Sequence, residues 1–160
     1  MAGLFSLIPA IADVVRLPVV ATGGIADARG IASAIVLGAS AVQIGTGFLR
    51  CPESGIPKAW ADAIGNSAPD STMLTRAFTG RLGRSIATAY AQAAASSDAP
   101  NPRPYPIQRA LTKQITDAGR RNNDLDRIQA WAGQSASLAK AVAADKLVRE
   151  LWDEALSLLS

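Results

Sequence analysis

Apolar residues recur at three- and four-residue intervals at the start of the chain: Leu4, Leu7, Ile8, Ile11, Val14 and Val15. This spacing predicts an amphipathic helix, with Pro9 early enough to sit in its first turn. The period then changes. LPVVAT, from Leu17 to Thr22, is a continuous apolar run with Pro18 near its start and Gly23-Gly24 after it, which predicts a strand covered on both faces as in a parallel sheet. Asp27 is placed to cap a short helix striped by Ile31, Ala34 and Ile35, and Gly38 to close it in a left-handed conformation. ASAVQIGT then predicts a second buried strand, with Ala41, Val42 and Ile44 apolar and Gly45 at its end. The three elements make a β-α-β unit, whose crossover is right-handed and whose edges need covering strands.

Beyond Arg50 the strand pattern largely stops. IPKAWADAIG predicts a short helix with Ile56, Trp60 and Ile64 on one side and Gly65 closing it, and Ser67 to Asp70 predicts a loop. MLTRAFTG is irregular or extended, and Leu82, Ile86 and Tyr90 space another helix. SSDAPNPRPYP has prolines at 100, 102, 104 and 106, so residues 96–106 form an extended connector. Ile107, Leu111 and Ile115 space a further helix. The closing segment is the strongest helix, with Leu138, Val142, Val148, Leu151, Trp152, Ala155 and Leu159 as its buried face. Trp60, Trp131 and Trp152 stand at helical positions and are read as core.

Composition narrows the class. The 160 residues are 49% hydrophobic and 18% charged, with abundant alanine and glycine, which suits helices packed closely on a sheet. Two parts are expected, residues 1–66 with the strand units and a helical tail over 67–160. The net charge is +3 and most basic residues are arginines, but they are dispersed with only Arg120-Arg121 adjacent, so nucleic acid is not an expected partner. Arg76, Arg81 and Arg84 are expected on a solvated helix face or in an intramolecular ion pair. Cys51 is the single cysteine, which excludes an intrachain disulfide and suggests a reducing cytoplasm. No uninterrupted run is long enough to span a membrane. Histidine is absent, which removes Ser-His-Asp and Cys-His arrangements, most zinc sites and the commonest general base; no metal site is expected.

The chemistry worth weighing lies at the two glycine turns. Backbone N–H groups at the end of parallel strands, helped by the next helix's N-terminus, hold phosphate well, and close approach needs residues without a Cβ. Gly23, Gly24 and Gly45 meet that need, and the hydroxyls of Thr22 and Thr46 add donors. In a (β/α)8 barrel such a site recurs after strands seven and eight. Glycine is also simply the residue of tight βα turns, so spacing alone leaves both readings open. GTG at 45–47 lacks the later glycine and the ribose-binding acid of a Rossmann fingerprint.

The stretch LIPAIADVVRLPVVATGGIADARGIASAIVLGASAVQIGTGFLRCPE closely resembles the C-terminal barrel segment of the nitronate monooxygenases, formerly called 2-nitropropane dioxygenases. LTRAFTGRLGR, YPIQRALT and WAGQ continue the likeness more thinly. The resemblance implies an α/β fold, the last two βα units of a TIM barrel followed by a helical tail, and FMN as cofactor. The family's AGGI turn matches Thr22-Gly23-Gly24-Ile25 and its QMGT turn matches Gln43-Ile44-Gly45-Thr46. By that match Gly23, Gly24, Gly45 and Thr46 hold the FMN phosphate, with Gln43 and Ile44 completing the second strand's part. Thr79, Gly80, Arg81 and Arg84 match an SGRxxR-like passage and are expected to anchor the tail.

Family members run to more than twice this length, and the resemblance puts the other barrel strands and the catalytic histidine upstream of this stretch. The sequence is therefore expected to be a fragment or a truncated product, without catalytic residues of its own. Such an incomplete barrel is expected to be marginal, homo-oligomeric or aggregation-prone. The implied substrates are an alkyl nitronate and O2. Two rivals remain: an enoyl-acyl-carrier reductase of the same barrel group, which shares both glycine turns, and a non-catalytic remnant. Cys51 without a histidine partner is read as a small buried residue.

Overall fold

The computed structural model describes residues 2–160; Met1 lies outside them. The protein is mixed α/β and divides into two compact units, one running to Ser54 and taking back Leu138–Ser160, the other Gly55–Ser137. Residue 66, where the sequence suggested a boundary, lies inside the second unit.

The first unit opens with helix α1 (Leu4–Ala12), followed by strand β1 (Val20–Thr22), helix α2 (Ala28–Val36) and strand β2 (Ala41–Gln43). β1 and β2 pair in parallel, as the β-α-β reading requires. Asp27 caps α2 by accepting from the Gly30 N–H at 3.0 Å, and Gly38 follows the helix with φ of 103°. Two expectations fail here. Pro9 sits in the second turn of α1, where its ring removes an interior hydrogen-bond donor. The strands are also not covered on both faces: Ala21 is buried and Val42 packs on the core, but Val20 is 53% exposed.

The last helix, α6 (Ala144–Leu159), belongs to this unit and packs on α2. Leu147, Leu151 and Ala155 meet the small face of Ala28, Ile31 and Ala34. This corrects the expected face, because Leu138, Val148 and Trp152 are all exposed. One neighbouring helix covers one column of side chains, and the adjacent apolar columns of α6 stay outside it. The helix also starts later than its periodicity implied, after a 3-10 turn at Ala136–Leu138. Its first N–H groups lack a local cap, and Glu53 supplies one by accepting from the Ala144 N–H at 3.1 Å. Arg50 donates to the Ala139 carbonyl at 2.9 Å and holds the approach to the helix.

The second unit contains α3 (Lys58–Gly65), strands β3 (Thr72–Thr75) and β4 (Gly83–Ile86), α4 (Ala89–Ala93) and α5 (Ile107–Arg121). β3 and β4 form an antiparallel pair, with Thr72 opposite Ile86 and Thr75 opposite Gly83. The helix expected through Leu82, Ile86 and Tyr90 is thus a strand followed by one short helix. Tertiary contacts decide this: a Cβ on Gly83 would lie 2.9 Å from the Trp131 ring, and Ser85 Oγ donates to the Ala130 carbonyl at 3.0 Å. Phe78, fully buried, packs against Tyr90 at 5.3 Å and edge-on to Trp131 at 5.6 Å between ring centroids. Trp60 is buried as expected and donates its indole N–H to the Trp131 carbonyl.

α5 forms where its periodicity predicted, and its apolar stripe is not its buried face. Ile107 and Leu111 are exposed, while Thr112, Thr116 and Gly119 are buried. Thr112 donates to the Phe78 carbonyl at 2.7 Å, and Gly119 lies against the backbone of Arg127, where a side chain would not fit. Among the described residues, the arginines at 76, 81 and 84 lie on no helix face and in no ion pair. Arg76 and Arg84 donate to the carbonyls of Gly80 and Thr72, and Arg81 stacks 4.0 Å over Tyr105.

Candidate functional site: two glycine turns at one end of a parallel pair

Parallel strands deliver both of their C-terminal ends to one edge of the sheet. Thr22 stands opposite Gln43 in register, so the Gly23-Gly24 turn and the Ile44-Gly45-Thr46 turn leave β1 and β2 side by side. Gly23 and Gly24 have φ of 103° and 72°, in the left-handed region that disfavours any side chain. Gly45 is different, with φ of −98°, and opens a 3-10 turn over Thr46–Phe48.

A Cβ added at Gly23, Gly24 or Gly45 would meet nothing within 4 Å. Among the described residues, no turn, loop or cap hydrogen bond uses the N–H of any of these three glycines. Gly23, Gly24 and Gly45 are exposed, and Thr46 is half-buried. Bare backbone on two neighbouring turns fits an anion that accepts several hydrogen bonds at once.

The other expected members take different places. Ile44 is half-buried, packs on the core and sets the second turn. Gln43 is exposed, and its backbone carbonyl accepts from the Thr22 hydroxyl at 3.1 Å. Thr22 therefore spends its one hydroxyl hydrogen on the neighbouring strand. The N-terminus of α2 is also partly taken, since Asp27 accepts from Gly30 and pairs with Arg29. Burial raises the Asp27 pKa, but the Gly30 N–H and the Arg29 guanidinium outweigh it, and the net result lies below the ordinary carboxylate value.

Gly47, named above only as the last residue of GTG, has a packing role of its own. A Cβ there would lie 2.7 Å from Ile44 Cγ2 and 3.5 Å from the Ala26 Cβ. The second turn thus closes against the segment that follows the first. The only sequence signal is the recurrence of glycine in GTG, which does not say what it faces. A hollow of about 300 Å3 adjoins the first turn, walled by Leu4, Phe5, Ile8 and Leu37 beside Gly23 and Gly24. Cys51 is buried, and burial followed by the charge of Glu53 pushes its thiol upward, away from the reactive thiolate. Among the described residues, no group of three or more His, Cys, Asp or Glu side chains is placed to hold a metal ion, and no helix is long and apolar enough to cross a membrane.

Comparison with known proteins identifies the family. The chain is 40% identical over 154 residues to a probable nitronate monooxygenase of Staphylococcus aureus strain Newman, an alignment covering 96% of this chain and 43% of that protein. It spans less than half the length of the curated relatives it matches. Among solved structures, a nitroalkane oxidase from Streptomyces ansochromogenes superposes with a TM-score of 0.88 at 35% identity, covering 99% of this chain and 46% of that one. FabK from Thermotoga maritima superposes with a TM-score of 0.81 at 28% identity, covering 99% and 50%. The family model for nitronate monooxygenase matches residues 1–154, and the chain belongs to that family.

Proposed function

We propose that this chain supplies the phosphate-holding rim of an FMN-dependent oxidoreductase that oxidises alkyl nitronates with O2. In this reading β1-α2 and β2 with its following turn are the last two βα units of a TIM barrel, and the rest is a helical tail. The observation that carries the proposal is the pairing of Thr22 with Gln43, which sets two uncovered glycine turns side by side. The family membership and the nitroalkane oxidase likeness support the reaction class.

The residues fit the group. Gly23, Gly24 and Gly45 leave room for a phosphate against bare backbone, and Thr46 follows at the start of the 3-10 turn. Gln43 and Ile44 fix where that turn begins. Bound FMN supplies the electron acceptor for the nitronate carbon, with O2 as the final oxidant. The work of this chain is to bind and orient: amides anchor the phosphate end, and the α2 and α6 layer behind the strands keeps the turns in place. With no histidine in its 160 residues, the chain does not provide the histidine base that the resemblance implies.

The test is oxygen uptake by the natural protein that carries this segment. Flavin-containing protein that consumes O2 with an alkyl nitronate supports the proposal. NADH-dependent reduction of an enoyl thioester without nitronate oxidation overturns it in favour of the enoyl reductase. A folded, colourless protein that takes up no FMN points to a non-catalytic remnant.

A further inference from the structure

We infer that Thr22 is a positioning residue: its hydroxyl ties the two glycine turns together and does not touch the anion itself. A carbonyl oxygen only accepts, so in the 3.1 Å contact with the Gln43 carbonyl Thr22 Oγ1 must be the donor. A threonine hydroxyl carries one hydrogen. With that hydrogen committed, Oγ1 offers only lone pairs, which repel a phosphate oxygen instead of binding it.

The location gives the bond its consequence. Thr22 and Gln43 are the last paired residues of β1 and β2, and beyond them one chain enters Gly23-Gly24 and the other reaches Gly45 one residue later. Glycine backbones are the most permissive in the chain, so the relative position of the two sets of N–H groups depends on what holds the strand ends. A β-branched residue suits this role, because its χ1 is restricted in a strand. The brace exists without any ligand. What it serves rests on the anion reading above, but the brace itself does not.

The experiment compares Thr22→Ser, Thr22→Val and Thr22→Ala by amide hydrogen exchange on the ligand-free protein and by FMN titration. Valine keeps the shape and the β-branch but lacks the donor, so exchange across 23–25 and 43–47 should rise roughly fivefold, the factor that one net hydrogen bond gives. FMN affinity should fall by a similar factor. Serine should restore both. If the valine variant is unstable, serine against alanine isolates the hydroxyl, since both lack the methyl group. Unchanged ligand-free exchange with weakened FMN binding would overturn the inference and make Thr22 a direct ligand; unchanged exchange and binding would overturn it as well. Faster exchange in a protein whose wild type takes up no FMN would uphold the brace and remove the anion reading, so the two failures are separable.

Discussion

Glycine does three different jobs in this chain, and substitutions separate them. Gly23 and Gly24 are required by their positive φ, Gly47 by the 2.7 Å approach to Ile44, and Gly45 by neither. Gly47→Ala should cost about 1–3 kcal/mol, as overpacking does, measurable by denaturant unfolding, whereas Gly45 tolerates a side chain until something else fills that space. Asp27 was legible in advance because a cap is a local pattern, and Asp27→Ala should cost about 1 kcal/mol near neutral pH. Its depressed pKa fixes the pH dependence. The stabilisation is present above the unfolded-state value of 3.8 and is lost as pH falls through the lower folded-state value. Melting curves of wild type and Asp27→Ala should therefore converge on acidification below about pH 4. Cys51, buried with a raised pKa, should label slowly with a thiol reagent in native buffer and fast after unfolding. The Thr22 bond to Gln43 was not legible, since nothing in ATGG states the strand register.

Among the elements, those set by local pattern stood out in the sequence and those set by a distant partner did not. β1, α2, β2 and α3 each have a period, a cap or a glycine stop within a dozen residues. β4 reads as helix in its own sequence and becomes strand because Trp131 and Ala130 approach Gly83 and Ser85. The face of α6 differed from expectation, and α5 buries polar residues, for a related reason. Periodicity counts apolar residues, while burial depends on which neighbour arrives, and α5 buries Thr112 and Thr116 with satisfied hydroxyls where Leu111 stays 66% exposed. The corrected α6 face gives a direct prediction. Leu147→Ala should cost about 2–5 kcal/mol, and Val148→Ala about 0.5 kcal/mol or less, by equilibrium unfolding. Gly80→Ala should be among the most damaging changes in the second unit, because its Cβ would fall 2.2 Å from the Arg103 carbonyl at a φ of 81°.

For the molecule as a whole, the first unit leaves much apolar surface in solvent. Phe5, Val14, Leu17, Val20 and Val36 are all more than half exposed, and a two-stranded parallel sheet is smaller than sheets that stand alone. In the barrel proposed above, neighbouring strands would cover this surface. The central claim is that two adjacent turns hold one anion on bare backbone. It is tested most directly by titrating FMN into wild type and Gly45→Val and following flavin fluorescence, with melting curves to show that both are folded. Wild type should bind saturably, and the variant, melting like wild type, should lose about tenfold or more in affinity, since a valine side chain would occupy the space an anion needs. A folded Gly45→Val protein that binds FMN as tightly as wild type would contradict it.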